Sequence, residues 1–157
     1  MYPSITHQTP GIHSRFETQE PQIFWGNSEF WGKDVMFGLL DGSSRDLGQA
    51  AGSQHILRAG LVLGYHVANE RWVPYDSTAA AAEGGTLRGV LAQTVAVVID
   101  GVDTDKTIAI SHRANVKADA LLFNQGTPAN LTSHALEATF RTALNAAGFR
   151  VDDWFQQ

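Results

Sequence analysis

The stretch from Leu57 to Leu91 constrains the fold most, because short β-prone runs are separated there by turn residues and glycines. A β-branched and aliphatic run leads into a polar turn, and a second run ends at a proline. Strand, turn and strand is the pattern of a β-hairpin. A loop of small residues and a further strand follow. In chain order these segments are Leu61-Val62-Leu63, Ala68-Asn69-Glu70, Arg71-Trp72-Val73 before Pro74, Ser77 to Gly85, and Gly89-Val90-Leu91.

Further strands are predicted on both sides of this stretch. Lys106 to Ser111 alternates around Ile108 and Ile110, the pattern of a half-buried strand. Apolar runs elsewhere suggest additional strands, and glycine with aspartate or serine marks turns between them. The predicted segments are a strand over 34–40, one or two strands over 87–99, a turn over 100–105, and a polar hairpin over 112–117 that leads into Leu121-Leu122-Phe123.

A single helix is predicted, from Ser133 to Ala147. Ser133 is a suitable N-cap, and Glu137 lies in the first turns, where the helix dipole favours an acidic residue. Gly148 is expected to end the helix as its C′ residue, before a terminal strand or plug with Phe149 and Val151. The fold is therefore predicted to be mainly β with one short C-terminal helix. The apolar face of that helix, predicted to pack on the β core through Leu136, Phe140 and Leu144, consists of Leu136, Phe140, Ala143, Leu144 and Ala147.

Length and composition exclude several classes of protein. A chain of 157 residues fits one domain with an extension. It has no cysteine, which excludes disulfides and thiolate chemistry. A net charge of −5 argues against a nucleic-acid partner, which needs a basic surface. No apolar run approaches the ~20 residues of a membrane span, and no signal peptide is visible, so we expect no membrane partner.

The first 33 residues are predicted to be an extended arm, and residues 34–157 the β-rich domain. Residues 1–21 are polar and contain three prolines, a composition that does not fold alone. The triplet Phe-Trp-Gly then occurs twice, six residues apart, which places equivalent rings on one face of an extended chain. Two interpretations remain open: the rings cap the core of their own domain, or they anchor a contact with another protein.

No motif for catalysis or metal binding is present. The six histidines form no helical pair, and the acidic turn over 100–105 lacks the spacing of a calcium loop. Neither a nucleophile elbow nor a phosphate-binding glycine loop occurs. We therefore expect no enzyme, no cofactor and no metal.

Three blocks of sequence together resemble the lambda-type head decoration proteins of tailed phages. They are Ala59-Gly60-Leu61-Val62-Leu63-Gly64, Trp72-Val73-Pro74-Tyr75-Asp76 and Gly89-Val90-Leu91. The resemblance continues through His112-Arg113-Ala114-Asn115-Val116-Lys117 and covers about residues 55–151. The aromatic N-terminal segment departs from the shorter members of that group.

This resemblance implies a small β-barrel or β-tulip-like domain that forms homotrimers. Such proteins are late structural proteins that cement neighbouring copies of the major capsid protein at three-fold and quasi-three-fold sites. The expected location is the outer surface of the virion, after assembly in the host cytoplasm. An arm can add a strand to an exposed sheet edge of the shell. The expected capsid contacts are Tyr2, Ile5, Ile12, Phe16, Ile23, Phe24, Trp25, Phe30 and Trp31.

Two alternatives remain at this point. One is a β-rich carbohydrate-binding or adhesin-like module displayed on a particle, in which Trp25, Trp31 and Trp72 are platforms for sugar rings. The other is a small hydrolase whose site is assembled across the fold.

Overall fold

A closed five-stranded barrel lies at the centre of the protein in a computed structural model, which describes residues 35–152. The predicted class is confirmed, since the described chain is mainly β with one α-helix. The arm lies outside the described residues. The strands are β1 (Val35–Leu40), β2 (Ile56–Leu57), β3 (Val62–His66), β4 (Arg71–Pro74), β5 (Glu83–Leu91), β6 (Val95–Ala96), β7 (Val98–Ile99), β8 (Val102–Asp103), β9 (Lys106–Ser111), β10 (Asn115–Lys117), β11 (Leu122–Phe123), β12 (Ala129–Asn130) and β13 (Arg150–Asp152); the helix is α1 (Glu137–Ala146).

The barrel has the strand order β1-β4-β3-β5-β9. β3 and β4 form the predicted hairpin, and β5 pairs with both β3 and β9. β1 is antiparallel to β9 along its whole length. The barrel closes where β1 meets β4 in parallel, at the single pair Leu40 and Trp72. Four two-stranded sheets surround it: β2-β6, β7-β8, β10-β13 and β11-β12.

Most of the predicted strands are confirmed, with changes in extent. The strands predicted over 34–40 and 106–111 are β1 and β9. The strand predicted at 89–91 is only the end of β5, which begins at Glu83, inside the predicted small-residue loop. The region over 87–99 holds three strands rather than one or two, and β8 lies inside the predicted turn over 100–105.

Close backbone approach explains why β5 extends so far. A Cβ atom on Gly64 would lie only 2.7 Å from the Cα of Gly84, so the glycines let β3 and β5 approach where their register shifts. Glycine in a strand interior often marks such a bulge or close contact. The loop prediction is confirmed for residues 77–82 but wrong from Glu83 onward, where it counted Gly84 and Gly85 as turn residues.

Two apolar cores stabilise the molecule. The first fills the barrel and includes Leu40, Leu63, Trp72, Leu91 and Ile110. The second lies between the barrel and α1, where Phe123 stacks on Phe140 with ring centroids 4.0 Å apart. Phe140 and Leu144 are fully buried, which confirms that this face of the helix packs on the β core.

The start of the helix differs from the prediction. Residues Leu131–Ser133 form a separate 3-10 turn, in which the Asn130 side chain accepts a hydrogen bond from the Ser133 amide. Helix α1 begins only at Glu137, and its N-cap position, Leu136, makes no side-chain cap. The prediction that Ser133 caps the helix is therefore wrong. So is the burial predicted for Leu136, which is 37% exposed.

The end of the helix agrees with the prediction. Gly148 has φ +90°, a conformation that glycine adopts without a steric penalty. The Phe149 amide donates to the Leu144 carbonyl, and the Gly148 amide to the Asn145 carbonyl. These two bonds define a Schellman motif, which satisfies carbonyls left free at a helix end.

The predicted hairpin over 112–117 is wrong, because β10 does not pair with its sequence neighbour. It pairs in parallel with β13, which lies about thirty residues further along the chain, from Asn115 with Arg150 to Lys117 with Asp152. The predicted last strand is thereby confirmed as β13. Phe149, directly before it, is buried in the second core.

Candidate functional site

Among residues 35–152, one edge of strand β1 has no strand partner over most of its length. The other edge of β1 pairs with β9 from Val35 to Leu40, whereas this edge meets a described strand only at Leu40. The Asp41 amide donates to the Trp72 carbonyl, 3.0 Å away, across this same edge. Alternate residues of a strand point their backbone groups to the same side. The backbone groups of Val35 and Phe37 therefore face the open edge.

The side chains of β1 separate into an inner and an outer face. Leu40 is buried in the barrel, so the period of two places Gly38 and Met36 on the inner face. A Cβ atom on Gly38 would lie 2.6 Å from Cδ1 of Trp72, which shows that the indole lies directly over this glycine. Phe37 lies on the outer face and is 72% exposed. Met36 and Phe37 are thus apolar side chains that the described chain leaves uncovered.

A groove of about 620 Å³ opens at this end of the barrel. Trp72 and Tyr65 line it, and the two rings pack edge-on with centroids 5.4 Å apart. Met36 and Phe37 of β1 belong to the same lining. Arg88, His112 and Arg113 contribute polar groups to it. We call this feature the mouth groove. Its surface is mainly apolar, with a cationic rim.

The arginines of that rim have no acidic partner within residues 35–152. Arg88 lies over the Tyr65 ring at 5.9 Å, and neither Arg88 nor Arg113 forms an ion pair with another described residue. Glu70 is the acidic residue in the lining. The Nδ1 atom of His112 is buried and has no hydrogen-bond partner among residues 35–152. The mouth groove therefore favours an occupant with apolar side chains and acidic charge.

The opposite end of β1 is held by an ionic cluster instead. The carboxylate of Asp105 accepts from Nε of Arg71 at 2.7 Å and from the amide of Gly42 at 2.8 Å. The hydrogen bond from Arg71, together with that from Gly42, lowers the pKa of Asp105 from its ordinary value. These bonds join the end of β1 to β4 and to the start of β9. They hold the barrel closed at the point where β1 reaches β4.

A second groove, of about 540 Å³, lies beside Leu47 and Leu136. Its polar side chains already have partners. Asn124 binds the backbone of both Arg45 and Leu47, and Gln125 accepts from Ser77. Because these groups already form hydrogen bonds within the described chain, this groove has fewer polar groups available to a ligand than the mouth groove has.

The histidines of the described chain do not converge. Within residues 35–152 no three His, Asp or Glu side chains form a group that fits a metal ion. His134 is buried, with Nε2 2.7 Å from the Gln125 carbonyl and Nδ1 accepting from the Leu136 amide. These two bonds place the proton on Nε2. His134 is therefore a structural residue that fixes the segment before α1.

The residues predicted to contact a capsid are not part of the described structure. All nine of them, Tyr2, Ile5, Ile12, Phe16, Ile23, Phe24, Trp25, Phe30 and Trp31, lie in residues 1–34. Of the three tryptophans suggested as sugar platforms, Trp72 is 7% exposed and belongs to the barrel core. Sequence reasoning missed the mouth groove. Its signal was the adjacent pair Met36-Phe37, which breaks the alternation expected of a half-buried strand.

No helix within residues 35–152 combines the length and apolar character needed to span a membrane. The chain matches no protein-family model and no curated protein.

Proposed function

We propose that the protein is a capsid decoration protein of a tailed phage. In this role it acts as a homotrimer at three-fold and quasi-three-fold sites on the outside of the expanded head. There it links neighbouring copies of the major capsid protein against the pressure of packaged DNA. The role requires contacts rather than a reaction, so we propose no enzymatic activity and no cofactor.

One observation carries the proposal: the separate sequence blocks that resemble decoration proteins form a single hydrogen-bonded unit. The Gly60 amide donates to the Leu91 carbonyl at 2.8 Å, and the Leu91 amide donates to the Leu61 carbonyl at 2.9 Å. The Tyr75 amide donates to the Val62 carbonyl at 2.9 Å. Residues 59–64, 72–76 and 89–91 are thus adjacent in space. Blocks that share one structural unit support a common fold better than scattered similarities do.

The position of the arm supports the same role. The first 34 residues enter the domain at an open sheet edge beside an apolar groove. An extended segment of 20 residues reaches up to roughly 65–70 Å, far enough to contact a neighbouring capsid subunit. Such a segment can add a strand to a sheet edge of the shell, with backbone hydrogen bonds supplying affinity. Three arms on one trimer would bind multivalently, so contacts that are weak singly would together keep the trimer attached to the capsid.

Co-sedimentation with purified phage heads tests the proposal. We expect the protein to bind expanded heads at a stoichiometry of three per three-fold site, and to bind compact procapsids much more weakly. Expanded heads with the protein bound should also withstand heating or chelation that breaks undecorated heads. Equal binding to both forms, or binding to neither, would rule out this function. Retention on a glycan array without head binding would favour the carbohydrate-binding alternative.

A further inference from the structure

We propose that residues 28–31 of the same chain dock at the mouth groove, as a short strand that folds back onto the open edge of β1. The groove and the open edge belong to the described chain, and the segment holds Phe30 and Trp31 of the second Phe-Trp-Gly triplet. The docking does not depend on the proposed function. Its consequence for capsid binding does rest on that function.

The open edge accepts a strand in one register. Val35 and Phe37 direct their backbone groups to that edge, as Asp41 does further along. Three residues, Gly32-Lys33-Asp34, separate Trp31 from Val35. A three-residue loop containing glycine is a common β-hairpin connection. It would set Trp31 opposite Val35 and Glu29 opposite Phe37. In this register the new strand meets the β1 residues whose backbone groups lack a described strand partner.

The same register matches side chains to surfaces. With a period of two, Ser28 and Phe30 fall on one face of the segment, and Glu29 and Trp31 on the other. Phe30 would lie opposite Met36, which faces the mouth of the barrel. Phe30 therefore covers the mouth groove, while Trp31 and Glu29 lie on the outer face with Phe37.

Charge favours the same occupant. Residues 16–31 contain Glu17, Glu20 and Glu29 and no basic residue. The rim of the mouth groove carries Arg88 and Arg113, which have no ion-pair partner among the described residues. The acidic side chains of the arm are attracted to these arginines at a partly desolvated surface, and this attraction also orients the segment on the groove.

Chain length favours the same chain over a second copy. Trp31 lies four residues before Val35, so its Cα can be at most roughly 14 Å from the start of β1. The segment is thus held beside the groove at an effective concentration in the mM range. The same segment of a second copy has no such advantage. If the protein is a decoration protein, the docked rings belong to the domain, and the capsid anchors are the predicted contacts before residue 28.

Disulfide trapping in the full-length protein tests the docking. The chain has no cysteine, so paired substitutions report on one contact only. We expect Glu29→Cys with Phe37→Cys to form an intramolecular disulfide under mild oxidation, at a rate independent of protein concentration. Residues opposite each other on antiparallel strands have Cα atoms about 4.5–5.5 Å apart, within the range that a disulfide spans.

Two control pairs separate docking from simple tethering. The pair Glu17→Cys with Phe37→Cys measures how often a distant part of the arm reaches β1 by chance. The pair Glu29→Cys with Val102→Cys measures how often residue 29 reaches another exposed apolar position, on the β7–β8 hairpin. The docking predicts that both controls react at least tenfold more slowly. Reaction of Glu29→Cys with Phe37→Cys no faster than the controls overturns it. Disulfide-linked oligomers as the main product also overturn it, because they assign the groove to a second copy. The assay needs no capsid, so its result is independent of the proposed function.

Discussion

Truncation of Phe140 should destabilise the protein strongly, because its ring joins the helix to the β core. The side chain is fully buried, stacks on Phe123 at 4.0 Å with nearly parallel planes, and has the Tyr75 ring 5.9 Å away and the His134 ring 4.6 Å away. Removing such a ring loses its transfer free energy and leaves a cavity. Phe140→Ala should therefore lower the free energy of unfolding by about 3–5 kcal/mol.

The assay is urea unfolding, followed by far-UV circular dichroism and by tryptophan fluorescence. For a domain of this size each kcal/mol shifts the melting temperature by about 2–4 °C, so a thermal scan should show a fall of roughly 6–20 °C. The slope of the denaturation curve should stay the same, since a changed slope would indicate an altered denatured state or loss of two-state behaviour.

Leu136→Ala is the matched control. Sequence periodicity puts Leu136 on the same helical face as Phe140, whereas the structure places it before the first turn and 37% exposed. Because Leu136 is partly exposed and lies outside that core, Leu136→Ala removes less buried apolar surface than Phe140→Ala and should destabilise the protein clearly less. If Leu136→Ala cost as much as Phe140→Ala, the packing described for the start of α1 would be incorrect. If Phe140→Ala left stability almost unchanged, the ring would not be part of the core.

Three further predictions follow from the ion pairs and the arm. Asp46 is 1% exposed and accepts two bonds from the Arg58 guanidinium, so Asp46→Ala should lower the free energy of unfolding in urea by about 1–3 kcal/mol. Asp103→Ala removes a half-exposed ion pair with Arg45 and should lower it by at most ~1 kcal/mol. Equal losses for the two variants would contradict this ranking. Because its folded pKa is lowered, Asp105 contributes stability above about pH 4 that is lost as pH falls through the folded pKa. Asp105→Asn should therefore be less stable than wild type at pH 7 and should lose less free energy of unfolding on acidification. Parallel pH–stability curves for the two proteins would show that the Arg71 and Gly42 bonds do not act in this way. Deleting residues 1–21 should leave melting temperature and oligomeric state unchanged but weaken binding to expanded heads at least tenfold, or about 1.4 kcal/mol, and full affinity in a titration against purified heads would refute the arm as an anchor.

Features that depend on neighbouring residues were predictable from the sequence. The β3–β4 hairpin follows from two β-prone runs around a polar turn, and the pairing from Leu63 with Pro74 to His66 with Arg71 confirms it. The alternation around Ile108 predicted β9 within its observed bounds. The end of the helix was predictable as well, because glycine at C′ supplies the positive φ that a Schellman motif needs.

The start of the helix was decided by competing local hydrogen bonds. Ser133 is a favoured N-cap type, and as an N-cap its side chain would accept from the Leu136 amide at N3. That amide donates to the His134 ring instead, while the Ser133 amide closes a separate 3-10 turn with the Asn130 side chain. Serine, asparagine and histidine all offer partners for backbone amides, and their residue types alone do not show which partner prevails.

Contacts between distant segments were decided by tertiary structure alone. β10 pairs with β13 rather than with its neighbour, and β1 reaches β4 at one residue pair. The mouth groove exists because β1 and β4 separate on the N-terminal side of Leu40, and because Gly38 admits the Trp72 indole against the barrel wall. A strand pattern read from sequence gives the alternation of faces but not the identity of the partner strand, because long-range pairing depends on how the whole chain closes around its core.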